Sequence, residues 1–187
     1  VAKGASRVGE QSALEAARRY YVDAANYDSS KVYLSRLLSL ATSQENQLEA
    51  LRGLTRSYYQ TKDFSQANTA AQELLTRKGI STDDKSIANL VLGKSLQSKG
   101  QYADAIKAYK QTANTNKGAW GAEARYEIAN CQFQQNNLTE AEKAGMDAIK
   151  ASGSDYWVAK SYILLGDIYL KQKDYFNAKA TFKSVAD

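Results

Sequence analysis

The stretch AKSYILLGDIYLKQKDYFNAKATFKSVAD, residues 159–187, decides the fold. It splits into two halves around a polar turn. In the first half Tyr162, Leu165, Gly166 and Tyr169 recur at steps of three and four, one face of a helix with 3.6 residues per turn. In the second half Tyr175, Ala178, Phe182 and Val185 do the same. Gln172, Lys173 and Asp174 form the turn, with Asp174 placed to cap the second helix. Gly166 and Ala178 are small where the two helices must come closest, and Tyr169, Tyr175 and Phe182 fill the space around them. A hairpin this short cannot bury its own apolar face, so it needs neighbours.

The neighbours are present at a fixed interval. The small residue of the second helix recurs as Ala178, Ala141, Ala105, Ala67 and Ser30, separated by 37, 36, 38 and 37 residues. Three places earlier stand Tyr175, Leu138, Tyr102, Phe64 and Tyr27. The small position of the first helix reads Gly166, Ala129, Gly93, Thr55 and Arg18, so the first copy is degraded while its period holds. Helices are predicted over 10–25 and 31–41, 47–61 and 64–77, 85–98 and 102–111, 121–135 and 139–151, and in the two halves of 159–187. In the second of these, Val32, Leu34, Leu37 and Leu38 are expected to point inward. Gly100 and the pair Asn136–Asn137 mark turns.

LLGDIYLKQKDYFNAKATF resembles a tetratricopeptide repeat, whose signature is a Leu-Gly pair, an aromatic three places on, then Tyr-x-x-Ala and a further aromatic. LGKSLQSKGQYADAIKAY, residues 92–109, is similar to it too. The chain departs from that family in two ways: its repeats exceed the usual ~34 residues, and it has no proline. The added length is expected around 79–84, 114–118 and 152–155. Longer repeats of this kind resemble those of bacterial envelope proteins, such as the Tol-Pal-associated coordinator and outer-membrane assembly lipoproteins. The wording is similar to repeat proteins of Bacteroidetes-type bacteria. The resemblance implies an all-α, right-handed α-solenoid of about five TPR-like helical hairpins, near 11–46, 47–84, 85–121, 122–158 and 159–187. Residues 1–10 read as a lead-in or the stump of a preceding repeat.

Composition fits one helical core. Of 187 residues 43% are apolar, enough for a continuous interior. The net charge of +5 is spread evenly: residues 1–94 hold 13 basic and 10 acidic side chains, and the rest hold 12 and 10. Without a basic block, nucleic acid is not an expected partner. No apolar run approaches the ~20 residues of a membrane span. The chain starts at Val1 without Met and reads as an excised or processed piece, consistent with a removed leader. A periplasmic or outer-membrane-associated location is expected over a cytoplasmic one.

The chemistry of a catalyst is missing from the side chains. There is no histidine, which removes the commonest general base and the usual nucleophile pairs. Cys131, two places after Ala129, reads as a packed thiol. Glu123 and Glu127 lie one helical turn apart and read as a solvated face rather than a paired-carboxylate site. Asp83 and Asp84 read as first-turn helix charges rather than metal ligands. Trp120 and Trp157 fall in one repeat register and are expected to wedge against the preceding hairpin. Neither an enzyme nor a cofactor or metal is expected.

The tetratricopeptide resemblance instead implies a concave groove lined by first helices. Its groove positions fall on Arg52, Arg56 and Tyr59, then Lys94 and Gln97, then Tyr126, Asn130 and Phe133, and last Asp167 and Lys171. Arg52 and Arg56, four apart, could grip an acidic peptide by forked hydrogen bonds, or could simply pair with Glu49 or Glu15. Val91, Glu123 and Glu127 stand where the family's chaperone-tail clamp needs Lys, Arg or Asn, so that ligand is not carried over. The expected function is a non-catalytic protein–protein interaction scaffold that holds an extended or helical partner segment, in an envelope complex. The alternative is a ligand-binding module for glycan or cell-wall fragments lying over the tyrosines. The apolar edge of the last helix, Phe182 and Val185, suggests further repeats or self-association through that end.

Overall fold

The computed structural model describes the backbone of residues 2–23, 25–151 and 153–186, and the side chains of 7–21, 25–151 and 153–185. These residues form ten α-helices and one π-helical segment, with no strand among them. In order they are α1 (Ala2–Arg18), the π segment Arg19–Asp23, α2 (Tyr27–Leu40), α3 (Gln44–Gln60), α4 (Phe64–Thr76) and α5 (Thr82–Ser98). There follow α6 (Tyr102–Thr115), α7 (Ala119–Gln134), α8 (Leu138–Lys150), α9 (Asp155–Lys171) and α10 (Tyr175–Ala186). The first helix thus begins at Ala2, earlier than the sequence pattern implies. The chain forms two compact units, Val1–Val91 and Leu92–Asp187, with the boundary inside α5. In the first unit α1 packs on α2, α2 on α3 and α3 on α4. In the second, each helix from α6 to α10 packs on the next, and α7 also packs on α9.

The repeat is written into the backbone at the turns. A left-handed residue closes each hairpin: Ala25, Lys62, Gly100, Asn136 and Lys173, with φ between 47° and 73°. Their spacings of 37, 38, 36 and 37 match those of the small residues. The amide one place further donates back to the carbonyl five residues earlier, Asp63 to Tyr58, Gln101 to Leu96, Asn137 to Gln132 and Asp174 to Tyr169, which satisfies carbonyls the helix end would strand. The first turn differs in its hydrogen bond and not in its length: the Asn26 amide reaches Tyr20, six back, after a π-helical segment whose bonds span one residue more than those of an α-helix. Asn26, Asp63 and Asp174 then cap the following helices by accepting the amides of Ser29, Gln66 and Asn177. The capping role expected of Asp174 is therefore observed.

The small residues lie where the sequence places them. Ala67, Ala105, Ala141 and Ala178 are buried in the hairpin crossings. Ser30, the outlier, is equally buried, and its hydroxyl is satisfied by Ser57 Oγ at 2.9 Å and the Tyr27 carbonyl at 2.9 Å. The first-helix position shares its volume with a residue sixteen places on. A Cβ added to Gly93 would lie 2.5 Å from Cδ1 of Tyr109, and one added to Gly166 would lie 2.5 Å from Cζ of Phe182. In the copies that carry a larger residue first, the second is small: Ala129 answers Gly145, and Thr55 answers Ala71. In the first copy Arg18 turns outward, and Leu34, at the answering position, packs over Gly53 of the next first helix. Leu34 and Leu37 point inward as expected, but Val32 is 66% exposed. Its place two residues from Leu34 puts it on the opposite side of α2.

Gly93→Ala is expected to cost about 2 kcal/mol, as overpacking against a rigid ring does. Tyr109→Ala in the same chain should recover part of that loss, a non-additivity that urea unfolding of the four variants of the cycle would measure.

Candidate functional site

The groove positions read from the sequence divide between the two units, and each unit uses its cations first to join its own helices. In the first unit, Arg18 of α1 forks onto Glu49 of α3, Nε to Oε1 at 2.7 Å and Nη2 to Oε2 at 2.8 Å. Arg52 of α3 forks onto Asp84 of α5 at 2.6 and 2.8 Å. Asp84 is fully buried and also accepts the Ser81 amide, while its own amide donates to Ser81 Oγ. Burial pushes its carboxyl up, but the hydrogen bonds from Arg52 and Ser81 outweigh this and hold it below the usual range. Of the two readings left open for Arg52, an internal pair is the one observed, but its carboxylate is Asp84 and not Glu49 or Glu15. Asp84 is more than a first-turn charge: it is the anchor of a first-helix bridge.

Arg56 is left without a carboxylate among the described residues, and its Nε is buried with no acceptor. It borders a pocket of about 240 Å³ with Tyr21, Leu34 and Gly53. Burial raises the Tyr21 phenol, and Arg56 pulls it partly back. Tyr59, half-buried, lies away from this pocket with its ring 6.1 Å from Phe64.

In the second unit, Lys94 of α5 lies between Glu127 at 2.5 Å and Glu123 at 3.0 Å, both on α7. The two glutamates are 5% exposed, so the sequence reading of a solvated face is corrected: Lys94 supplies the opposing charge that made burial tolerable. Burial pushes the Lys94 ammonium down, but Glu127 and Glu123 raise it further, and it stays above its ordinary value. Gln97 Nε2 and Asn130 Nδ2 donate to Glu127 Oε2 at 2.8 and 3.0 Å, and Tyr109 donates to Gln97 Oε1 at 2.5 Å. Lys94, Gln97 and Asn130 thus form one satisfied network.

The remaining groove positions lie on the face of α7 and α9. The Tyr126 ring sits 5.2 Å from Trp157, and Tyr156 meets Trp157 edge-on at 4.9 Å. Trp157 therefore packs on the preceding first helix, as its register implied. Lys160 Nζ lies 5.4, 5.5 and 5.4 Å from the rings of Tyr126, Tyr156 and Trp157. Lys171 Nζ lies 4.9 Å from the ring of Phe133. Between them on α9, Asp167 has its carboxyl raised by partial burial. Tyr156, Ile163 and Leu170 are 62%, 46% and 45% exposed on these elements. Tyr156, Lys160, Ile163 and Leu170 were not singled out by the sequence pattern. Ile163 and Leu170 occupy the repeat positions of Tyr126 and Phe133, which was the available signal.

For chemistry, the structure offers a closed interior. Cys131 is fully buried, and burial pushes its thiol up to about 12, a packed thiol rather than a nucleophile. Among the described residues no group of three or more Asp, Glu or Cys side chains gathers as a metal site. No described helix is long and apolar enough to cross a membrane. Phe182 is half-buried over Gly166, and Val185 and Tyr175 are 36% and 66% exposed on α10.

The stacked hairpins, small crossings and bridged first helices define a helical repeat protein. The tetratricopeptide repeat profile matches residues 52–119, 90–156 and 159–187, and the chain belongs to that family. Its fold is an all-α solenoid of TPR-like hairpins. Among solved structures it is similar to MamA from Desulfovibrio magneticus RS-1, at 17% identity and a TM-score of 0.74, over 95% of this chain and 93% of that one. It is similar to BtubC (BKLC) from P. vanneervenii, at 14% and 0.67, over 97% and 90%. It is also similar to YrrB, described as a tetratricopeptide repeat protein with an unusual peptide-binding site, at 16% and 0.64, over 90% and 80%. These likenesses are of fold. No curated protein matches the chain in sequence.

Lys94→Met should destabilise the second unit by about 3 kcal/mol, because it leaves two buried carboxylates without a counter-charge. Asp84→Asn should cost about 2 kcal/mol at neutral pH. Since folding lowers the Asp84 pKa, its contribution is complete above the unfolded carboxyl pKa and disappears as pH falls through the folded one. The difference between wild type and Asp84→Asn in urea midpoint should therefore shrink on acidification.

Proposed function

We propose that the chain is a non-catalytic protein-interaction module and that the α7–α9 face of its second unit receives an extended or helical segment of a partner protein. The observation that carries this reading is the pair Lys160 and Lys171. Both ammonium groups stand over aromatic rings and form no ion pair among the described residues. Arg18, Arg52 and Lys94, on other first helices, have carboxylates of their own. A partner carboxylate would find charge at Lys160 and Lys171, and an apolar partner side chain would find Tyr156, Ile163 and Leu170. Asp167 between the two lysines sets a register, since a second partner carboxylate is repelled there. The peptide-binding site named for YrrB supports a peptide as occupant.

A carbohydrate occupant rests on exposed Tyr156 beside Trp157, a flat surface on which a sugar face could lie. Action in a bacterial envelope complex is part of the proposal and rests on the wording of the repeats alone. The two occupants separate experimentally. Screening an immobilised peptide library and a glycan array with the purified chain should return acidic–apolar peptides and no glycans. Tyr156→Ala and Lys160→Ala together should then weaken a selected peptide by about tenfold or more, with the helical circular dichroism unchanged. Its affinity should fall as salt is raised. Glycan retention without peptide binding, or peptide affinity indifferent to both substitutions, would overturn the peptide reading.

A further inference from the structure

A second surface of α7 poses a different electrostatic problem. Tyr126, Asn130 and Phe133 share one side of that helix, while Arg125, Ile128 and Gln132 line another and border a pocket of about 420 Å³ with α6 and α8. Arg125 is half-buried, and one of its terminal nitrogens, Nη1, is shut off from solvent with no hydrogen-bond acceptor. The other, Nη2, donates to the Ala113 carbonyl, a neutral partner. Burial pushes the guanidinium below its ordinary pKa with nothing opposing it. Arg52 and Lys94, the other partly buried cations bridging first helices, each hold carboxylates. A desolvated cation without an anion is a cost that folded chains usually offset by pairing.

The pocket around Arg125 supplies what an anion would need. Lys110, Lys117 and Lys143 line it, exposed and without an ion pair among the described residues. Glu140 and Asp147 line it too, so four cations face two carboxylates, a surplus of +2. Neither carboxylate pairs with Arg125. Ala113 and Ile128 add an apolar wall, and the volume lies within the range of small-molecule sites. We infer that this pocket binds a small organic dianion, a phosphate monoester whose phosphate meets Lys110, Lys117 and Lys143 in the field of the Arg125 charge behind them and whose organic body covers Ile128. This inference stands apart from the α7–α9 peptide face and does not depend on it.

The test uses phenyl phosphate and inorganic phosphate as probes on the whole chain, by calorimetric titration and thermal melting at low salt. Phenyl phosphate should bind saturably at one site, raise the melting temperature, and bind several-fold tighter than inorganic phosphate through its apolar ring. Arg125→Met, which removes one positive charge beside the phosphate, should weaken it severalfold. Because Arg125 also holds the Ala113 carbonyl, the exposed pair Lys110→Gln and Lys143→Gln provides an independent check that leaves the packing intact. That double variant should weaken phenyl phosphate by about tenfold, while peptides selected on the α7–α9 face bind it as they bind wild type. Absence of saturable binding would overturn the inference. So would equal affinity for acetate, or unchanged affinity in both variants, each meaning an adventitious ion only.

Discussion

The structure depends on how closely the two helices of each hairpin approach at their crossing. A first-helix residue and one sixteen places later meet at the crossing, and only one of them can be large. Gly93 and Gly166 lie under the rings of Tyr109 and Phe182, whereas Ala129 and Thr55 stand sixteen places before the small Gly145 and Ala71. With this distance set, the second-helix small residues from Ser30 to Ala178 are buried, and the left-handed turn residue recurs at the same spacing. Packing density near that of a crystal leaves no room for both positions to grow. Where one member of the pair carries a ring the other is glycine; where neither does, other side chains complete the packing, as Leu165 does beside Gly145.

The second level of organisation is polar and joins one hairpin to the next. Arg18 to Glu49, Arg52 to Asp84, and Lys94 to Glu123 and Glu127 each link a first helix to the following first helix. Such pairs are bought with desolvation, so their value here is orientation: a forked guanidinium–carboxylate pair admits one rotation of its helices. The same bridging withdraws these cations from any partner. Groove positions that look equivalent by register are therefore unequal in chemistry. Arg52, Lys94, Gln97 and Asn130 belong to the scaffold, while Tyr126, Phe133, Lys171 and the neighbouring Lys160 present rings and unpaired charge.

This division marks what was legible in the sequence. Helix type, period, turns and the Asp174 cap all rest on local side-chain size and spacing, and these lie within a few residues of one another. The bridges do not. Glu49 and Glu123 share a register, six places before Thr55 and Ala129, but Asp84 stands nine before Gly93 and Glu127 two before Ala129. The donors Arg18, Arg52 and Lys94 fall in three different registers, so the pairs leave no periodic trace. Glu123 and Glu127 resembled a wet helix face because their counter-charge, Lys94, lies about thirty residues away. The first copy was harder to read for a different reason: its first-helix position holds Arg18, which turns outward onto Glu49, and its helix ends in a π-helical turn although the spacing to the turn is unchanged.

Two partly buried arginines without a carboxylate among the described residues, Arg56 and Arg125, extend the same logic. Arg52 and Lys94 are paired between helices, and a partly buried guanidinium without such a partner needs its own cause. Arg56 has one in the phenol of Tyr21 beside it, a partial and neutral substitute. Arg125 has only the Ala113 carbonyl and a surround of lysines, which raises the local positive potential rather than lowering it. Stability alone would favour methionine or leucine at such a position, since an apolar side chain of that length fills the same wall without desolvating a charge. A guanidinium kept there adds its charge to the positive potential of the pocket that Lys110, Lys117 and Lys143 line.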